Sequence, residues 1–407
     1  MTLLVQKYGG SSVANIERIQ NVARRTQKYH EEGHQMVIVL SAMSGETDRL
    51  IQLAHGLTKK PNPREMDALV STGEQVSISL LCIALEAMGI KAKSYNGDQA
   101  KIITDHVHTK ARIKNIDTSA MEADLAAGYV VVVAGFQGVT ENGEVTTLGR
   151  GGSDTTAVAL AARLNASECQ IFTDVDGVYT TDPRIEPKAR KLDKISFEEM
   201  LELSSLGSKV LQIRSVELAA KNNVPIRVLS SLTEHGEGTL ITTEKDIDME
   251  AAIISGVATS KNEAKITVLG VPDQPGIAFN ILEQISDANI EVDMIVQNIS
   301  QDGTTDFTFT TNEADFDKAL EITEKSAKEM GARKVLGDKD IVKVSLVGLG
   351  MRSHAGVASL MFKALANEKI NIKMISTSEI KVSVVIESKY HELAVRTLHD
   401  AFKLDEK

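Results

Sequence analysis

The chain has 407 residues, of which 42% are hydrophobic and 25% charged, and its formal net charge is −11. This length allows two or three domains with buried cores, and the negative charge argues against nucleic acid or an anionic membrane as the main partner. Cys82 and Cys169 each lie in an apolar stretch and predict neither a disulfide framework nor a thiolate metal site. The N-terminus lacks the pattern of a signal peptide, so we expect a cytoplasmic protein without a membrane span.

The first 245 or so residues alternate between short apolar runs and longer segments of helical period. The runs include "QMVIVLS", "YVVVVAGF" and "CQIFTDV". Strands that are apolar on both faces and separated by helices indicate an α/β fold with a mostly parallel sheet. Each strand ends in Gly, Ser, Thr or Asp. Because ligands bind at the carboxyl ends of such strands, we expect these loops to converge on one site.

Lys7 ends the first strand and precedes a glycine turn, Gly9-Gly10-Ser11-Ser12. A lysine beside such a turn can neutralise phosphate oxygens while backbone N–H groups hold them. The order differs from a P-loop, in which the lysine follows the glycines. A solvated lysine at a strand end would explain the pattern equally well.

A second glycine pair opens the stretch "TLGRGGSDTTAVALAARLNA" at residues 147–166. The helix predicted to follow it has free N–H groups at its N-terminus, which attract anions. Arg150 is suited to gripping a carboxylate in bidentate fashion, and Asp154 could organise a catalytic lysine or a metal ion. A well-capped helix and a surface ion pair would account for the same residues without a function.

Further polar residues lie in or beside the expected strand-end loops. Glu74 lies in an apolar helical stretch, where an unpaired carboxylate is costly, so it needs a cationic partner such as a bound ammonium. The nine histidines show no zinc spacing. The remaining candidates are Ser41 and Thr47 for phosphate or carboxylate oxygens, Thr173, Asp174, Tyr179 and Arg184 beside a nucleotide, and Lys209 as a second cation.

The composition becomes more polar near residues 231–250, and an internal repeat follows. One copy starts at Ile266 and the other at Val344, and Gly276 aligns with Gly356. Each copy has the order of a ferredoxin-like split βαβ unit. We predict modules over 265–337 and 343–407. The second module lacks an edge strand, which the β-branched stretch 251–258 is expected to donate, so the modules share strands.

Four stretches in this order, "VQKYGGSSV", "STGEQVS", "FQGVTENGEVTTLGRGGSDTTAVALAARLNA" and "IFTDVDGVYTTDPR", closely resemble the aspartokinases. The repeated modules resemble the ACT domains that regulate them. The family usually has KFGGTSV in the first stretch, and Tyr8 and Ser11 keep its ring and its hydroxyl. Many members have VLHP after the residue equivalent to Lys209, where this chain has Val210-Leu211-Gln212-Ile213.

The resemblance implies an amino-acid-kinase three-layer α/β sandwich over 1–245, followed by two ACT modules. The implied reaction is phosphorylation of the aspartate side-chain carboxylate by ATP, the first step toward lysine, threonine and methionine. Mg²⁺ would be held mainly by ATP and not by a protein metal site. The implied catalytic residues are Lys7, Asp154 and Lys209; the ATP contacts are Lys7, Gly9, Gly10, Ser41, Thr173, Asp174, Tyr179, Arg184 and Lys209; and the aspartate contacts are Thr47, Glu74, Arg150, Gly151, Gly152 and Ser153.

The resemblance also implies feedback inhibition by lysine, threonine or both. The effector site would comprise Asp273, Gly276, Ile277, Ala278, Gln297 and Asn298. The second copy has His354 where the first has Gln274, so it need not bind the same ligand and could serve only dimerisation. The assembly would be a homodimer, or an α₂β₂ tetramer whose regulatory subunit starts at Met249.

Three other functions compete with this one. Glutamate and acetylglutamate kinases share the kinase fold, but the ACT-like repeat and the pair Glu74 and Arg150 argue against them. A catalytically silent amino-acid sensor would be expected to lose Lys7, Asp154 or Lys209, and all three are present. A Rossmann dehydrogenase would need G-x-G-x-x-G after the first strand, where this chain has "KYGGSSVAN".

Overall fold

The computed structural model describes residues 2–205, 210–233, 236–246, 254–299, 303–352, 354 and 356–406. They divide into two compact units. The first unit contains the described residues up to Tyr179 and those from Lys191 to 246. The second contains Thr180–Arg190 and the described residues from 254 onward. The short stretch 180–190 thus groups with the C-terminal half, and the domain bounds proposed from the sequence, 1–245, 265–337 and 343–407, stay predictions.

Eighteen strands occur in the described part of the chain. In chain order they are β1 (Leu3–Tyr8), β2 (Gln35–Leu40), β3 (Ala92–Tyr95), β4 (Ile102–Thr104), β5 (Ile113–Ile116), β6 (Val130–Ala134), β7 (Gln137–Val139), β8 (Val145–Thr147), β9 (Glu168–Thr173), β10 (Lys194–Ser196), β11 (Ile226–Ser230), β12 (Thr239–Thr242), β13 (Gly256–Pro272), β14 (Val292–Ile299), β15 (Thr304–Asn312), β16 (Lys334–Val347), β17 (Met374–Thr377) and β18 (Lys381–Glu387).

Twelve α-helices occur in the same residues. They are α1 (Ile16–Glu31), α2 (Glu46–Leu57), α3 (Pro63–Val70), α4 (Thr72–Ala87), α5 (Ser119–Ala126), α6 (Gly152–Arg163), α7 (Phe197–Ser205), α8 (Ile213–Asn222), α9 (Ile277–Asp287), α10 (Phe316–Glu329), α11 (Val357–Asn367) and α12 (His391–Ala401).

The first unit is built on an eight-stranded sheet in the order β10-β12-β11-β9-β1-β2-β6-β3. Every neighbouring pair is parallel except β11 and β12. A smaller sheet has the order β5-β4-β7-β8. The prediction of an α/β fold with a mostly parallel sheet is confirmed.

Helices cover both faces of the large sheet. Leu4, Met36 and Ile38 pack in one cluster with side chains of α1 and α4. Because side chains alternate along a strand, Val5 and Lys7 point to the opposite face, where α6 packs on β1, β2 and β9. Burial on both faces explains why these strands are continuously apolar in the sequence.

One helical stretch of the described chain, Pro63–Ala87, is long and apolar enough to cross a membrane, with a mean hydropathy of 1.6. Half of the apolar 18-residue window within it is buried inside the protein, and Leu81 and Leu85 of α4 lie in the core. Core helices have the same composition, so this stretch is weak evidence for a membrane span.

The second unit is built on a six-stranded antiparallel sheet in the order β14-β15-β13-β16-β18-β17. Each of its two central strands serves both repeats. The start of β13, from Gly256 to Ser260, pairs with the end of β16, and after a register shift its second half pairs with the start of β16. The cores against α9 and α10 and against α11 and α12 remain separate. Of the predicted donor stretch 251–258, residues 251–253 lie outside the described residues.

Candidate active site

Three parallel strands end at the same level at one edge of the large sheet. Tyr8 at the end of β1 is in register with Phe172 of β9 and with Leu40 of β2. The next residues on the three strands are Gly9, Thr173 and Ser41. The polar residues that follow these strands therefore start from adjacent positions, as in the sites of other open α/β sheets.

Lys7 and Asp154 form a shielded ion pair at this edge. Lys7 points to the face of the sheet covered by α6, and Asp154 lies in the first turn of that helix. The Lys7 Nζ atom lies 2.8 Å from Asp154 Oδ1, and the side chains are 12% and 11% exposed. The contact is mainly electrostatic, because this oxygen has no hydrogen bond of good geometry. Such a pair can hold an ammonium in one place beside a bound anion.

The glycine loop before α6 has a backbone that few residues other than glycine adopt. Gly151 is the N-cap of α6 and has φ of 73°, in the left-handed region. A Cβ atom there would lie 2.5 Å from the Cβ of Gln212. The Gln212 side chain donates from Nε2 to the backbone oxygen of Arg150 at 2.9 Å. The loop is thus held closely against the start of α8, with no room for a side chain at Gly151.

Glu74 lies in the first turn of α4 and is 3% exposed. Its Oε1 atom accepts a hydrogen bond from the backbone N–H of Ala42 at 3.1 Å, whereas its buried Oε2 atom has no partner. Burial raises the pKa of this carboxyl to about 7, and the bond from Ala42 opposes the rise. An orphaned, buried carboxylate oxygen requires an explanation, and a bound cationic group would supply its missing partner.

A continuous line of contacts joins Glu74 to Lys7. Glu74 is bonded to Ala42, and the neighbouring Ser41 hydroxyl donates to Ser153 Oγ at 3.0 Å. Ser153 in turn precedes Asp154, the partner of Lys7. The structure therefore brings a lone carboxylate, two hydroxyls and a paired lysine together along adjoining strand ends.

Other residues predicted from the sequence to bind ATP or aspartate lie on the neighbouring strand ends, helices and loops. Thr173 donates its hydroxyl to Asp174 at 3.0 Å, at the end of β9 next to β1. Gly9 is extended and precedes the short 3₁₀ helix Gly10–Val13. Thr47 is half-buried in α2, and Arg150 and Gly152 flank Gly151 in the glycine loop, where the Arg150 side chain is exposed.

Two candidates for nucleotide contacts are engaged with neighbouring aspartates. The Tyr179 hydroxyl donates to Asp176 at 2.8 Å, and burial raises the pKa of the tyrosine to about 12. Arg184 belongs to the stretch that groups with the second unit, and its guanidinium pairs with Asp182 at 2.7 Å. Lys209 lies outside the described residues.

The predicted effector residues lie on two elements of the first repeat. Asp273 follows β13 and donates its backbone N–H to the oxygen of Gly303 at 3.2 Å. Gly276 has φ of 96° and is the N-cap of α9, which begins with Ile277 and Ala278. Gln297 and Asn298 are exposed on β14, the edge strand of the six-stranded sheet.

The sequence alone does not assign a role to three residues that position the loop and its surroundings. Gln212 supports the glycine loop, and the departure from the usual family pattern at 210–213 was the available signal. Arg214 donates to the backbone oxygens of Leu148 at 2.7 Å and Ala111 at 3.2 Å, holding the base of that loop. Asp67 is fully buried and accepts from the Thr147 hydroxyl at 2.5 Å. Nothing in the sequence distinguishes these two from ordinary helix residues.

No group of three or more His, Cys, Asp or Glu side chains that could hold a metal occurs among the described residues. Near Lys7, Asp154 is a single carboxylate that already faces an ammonium.

Comparisons with known proteins identify the family to which each part of the chain is similar. The model of the amino acid kinase family matches residues 2–230, and two models of the ACT domain match residues 265–327 and 344–402. The chain is 64% identical over 405 residues to an aspartate kinase of Pseudomonas putida, a match that covers 100% of this chain and 98% of the relative.

Solved structures of an aspartokinase are also similar to this chain. E. coli aspartokinase III in complex with aspartate and ADP, in the R-state, has a TM-score of 0.79 at 25% identity, covering 98% of this chain and 99% of that one. The same enzyme in complex with lysine and aspartate, in the T-state, has a TM-score of 0.75 at 25% identity and the same coverage.

The parallel sheet, the lysine beside a glycine turn and the two ACT matches define the class, a kinase of the amino-acid-kinase fold joined to regulatory modules. Within that class, the chain belongs to the aspartokinases.

Proposed function

We propose that this protein transfers the γ-phosphoryl group of ATP to the side-chain carboxylate of L-aspartate, giving 4-phospho-L-aspartate. The observation that carries the proposal is the unpartnered Oε2 atom of Glu74, joined through Ala42, Ser41 and Ser153 to the pair of Lys7 and Asp154. This line suits a substrate whose ammonium pairs with Glu74 at one end and whose carboxylate reacts beside Lys7 at the other.

Aspartate would lie between β2 and α6. Its ammonium would meet Glu74, and its α-carboxylate would meet Arg150, whose exposed guanidinium forms no ion pair with a described residue. Thr47 and Ser153 supply hydroxyls beside it. This pairing of opposite charges fixes which carboxylate of the substrate is held and which is left to react.

ATP would lie on the other side of β1, toward β9. The Lys7 ammonium and the N–H groups after Gly9 and Gly10 would meet its phosphates, and Thr173, Asp174 and Tyr179 would border the nucleotide. Arg184 and Lys209, assigned to ATP by the family resemblance, remain predictions.

The chemistry needs no general base. The side-chain carboxyl of free aspartate has a pKa of about 3.9 and is already ionised at neutral pH. The barrier lies in bringing an anion against a polyanion and in stabilising the charge spread over the moving phosphoryl group. Lys7, held by Asp154, is placed to do this, and Mg²⁺ bound to ATP supplies further neutralisation.

We also propose feedback inhibition by lysine, threonine or both at the first repeat of the second unit. Asp273, the start of α9, and the exposed Gln297 and Asn298 of β14 offer groups that could hold an amino acid. The lysine complex of E. coli aspartokinase III supports an amino-acid effector. A cytoplasmic location and a homodimer or α₂β₂ assembly, with Met249 outside the described residues as an internal start, complete the proposal.

The proposal is tested by following ADP release from MgATP with aspartate, glutamate and N-acetylglutamate offered separately, each with and without lysine and threonine. ADP release with aspartate alone, reduced by one or both effectors, is expected. ADP release with glutamate or N-acetylglutamate in preference to aspartate would contradict the substrate assignment. Nucleotide binding without turnover of any substrate would indicate the amino-acid sensor instead.

A further inference from the structure

The stretch Thr180–Arg190 belongs to the second unit although the chain on either side of it belongs to the first. Tyr179 and Lys191, the flanking residues in the first unit, form an antiparallel bridge. Thr180 and Arg190 continue this pairing, since the Thr180 N–H donates to the Arg190 oxygen at 2.9 Å. Residues 178–192 therefore form one ribbon, hereafter the 178–192 ribbon, whose ends are grouped with the first unit and whose middle, 180–190, is grouped with the second.

Thr180 is the residue at which the second unit holds this ribbon. It is 1% exposed. Its backbone oxygen accepts from the N–H of Val257 at 2.7 Å, and its Oγ1 atom accepts from the N–H of Arg190 at 3.0 Å. A Cβ atom at Gly256 would lie 2.7 Å from the Thr180 oxygen, so β13 approaches Thr180 at a glycine.

The last contact of Thr180 is a histidine of α12. His399 is fully buried, and its Nε2 atom lies 3.0 Å from Thr180 Oγ1. Its Nδ1 atom has no partner. A buried ring nitrogen without a partner costs free energy that a leucine at the same place would avoid. The bond to Thr180 is therefore the polar interaction that distinguishes His399 from a packing residue.

Other contacts attach the same stretch to α12. Arg396 donates from Nη1 to the backbone oxygen of Ile185 at 3.3 Å, and Ile185 packs against the core of the second repeat. Lys188 Nζ lies 3.6 Å from Asp400 Oδ1. Several residues of the ribbon therefore contact α12, and the buried polar contact among them is the one at Thr180.

We propose that His399 is a positioning residue for nucleotide binding. Through Thr180 it fixes the register of the 178–192 ribbon and so the placement of Tyr179, which precedes Thr180. The last helix of the regulatory half thereby contributes to the affinity of the catalytic unit for ATP. This inference rests on the proposed function, in which Thr173, Asp174 and Tyr179 border ATP.

The chain provides a matched control on the same helix. His391 is 6% exposed, and its Nε2 atom lies 2.9 Å from Thr259 Oγ1. Thr259 lies on β13, not in the 178–192 ribbon. The two pairs share residue types, helix and a contact between His Nε2 and Thr Oγ1. They differ in that Thr180 belongs to the ribbon, where its Oγ1 atom also accepts from the Arg190 N–H.

The test compares Thr180→Val and His399→Leu with Thr259→Val and His391→Leu in the full-length protein. The dissociation constant of a non-hydrolysable ATP analogue with Mg²⁺ is measured by calorimetry, alongside the KM values for ATP and aspartate and the urea midpoint. We expect Thr180→Val, which removes the contacts of Oγ1 with His399 and with the Arg190 N–H, to weaken nucleotide binding at least about fivefold, the equivalent of one ordinary hydrogen bond, with the KM for aspartate unchanged. Thr259→Val should lower the urea midpoint comparably and leave nucleotide binding unchanged.

Two conservative variants separate positioning from folding. Thr180→Ser keeps the hydroxyl, and His399→Gln can place an amide near the position of Nε2, so both should restore nucleotide affinity. Equal nucleotide affinity in Thr180→Val and Thr259→Val would overturn the inference. The binding measurement is independent of the phosphoryl acceptor, so a wild-type protein that binds the analogue without phosphorylating aspartate would refute the proposed function and still allow this test.

Discussion

Replacing Glu74 with glutamine should make the ligand-free protein more stable while weakening aspartate binding. A carboxyl whose pKa rises from 4.5 to about 7 on folding destabilises the folded state by about 3 kcal/mol once both states are ionised. Between these two pKa values the folded protein retains a proton that the unfolded chain has lost. The contribution of Glu74 to stability therefore falls as the pH rises from about 4.5 to 7. The substitution Glu74→Gln removes this loss.

The same substitution removes the charge proposed to hold the substrate ammonium. A hydrogen bond between charged groups contributes up to about 3 kcal/mol, which corresponds to a KM for aspartate raised about 100-fold. In the wild type, aspartate affinity should increase as the pH rises through 7 and Glu74 ionises. The KM for ATP should change little, because Glu74 lies on the β2 side of β1.

The assay is urea denaturation at pH 5 and pH 8 without ligand, together with steady-state kinetics at pH 8. Glu74→Gln should exceed the wild type in stability by about 1–3 kcal/mol at pH 8 and by little at pH 5. Glu86→Gln, an exposed position on the same helix, serves as the control and should alter neither quantity. A variant less stable than the wild type at pH 8, or one with an unchanged KM for aspartate, would refute the reasoning.

Three further predictions concern other parts of the protein. Lys7→Met should lower kcat about 10²–10³-fold in a folded protein, and a smaller loss would show that the lysine does not stabilise the transferred group. Gly151→Ala should reduce activity at least about tenfold, because Gly151 has a left-handed backbone and the side chain of Gln212 leaves no room for a Cβ atom. Gly143 also has a positive φ, 81°, but open space around it, so Gly143→Ala should leave kcat unchanged. Burial lowers the pKa of both His391 and His399, so the unfolded chain takes up protons first and the contribution of these two histidines to stability should fall as the pH drops below about 6.5. Compared with the wild type over this range, the urea midpoints of the two His→Gln variants should lack this contribution.

The sequence predicted the fold well where burial leaves a regular pattern. Strands buried on both faces read as continuous apolar runs, and β1, β2, β6 and β9 appear where those runs occur. The repeat signalled two related modules, but pairing between distant strands leaves little local trace. That β13 and β16 are each one long strand serving both repeats emerges from the register of the six-stranded sheet.

The candidate site was predictable in its residue types and only partly in its contacts. Lys7 and Asp154 each had an ordinary structural explanation, and the 2.8 Å contact between them depends on which face of β1 carries α6. Glu74 was the clearest signal, since a lone carboxylate in an apolar helix is costly. The supporting contacts of Gln212, Arg214 and Asp67 could not be predicted, because polar side chains that bind backbone oxygens or buried hydroxyls have no periodic pattern.

Trapping the acyl phosphate tests whether the side-chain carboxylate of aspartate is the phosphoryl acceptor. Purified protein is incubated with MgATP, aspartate and hydroxylamine, and the hydroxamate is identified by mass spectrometry against authentic α- and β-aspartyl standards. We expect β-aspartyl hydroxamate that depends on ATP and is strongly reduced in Lys7→Met. Formation of the α-hydroxamate, or no hydroxamate under conditions in which ATP is consumed, would contradict it.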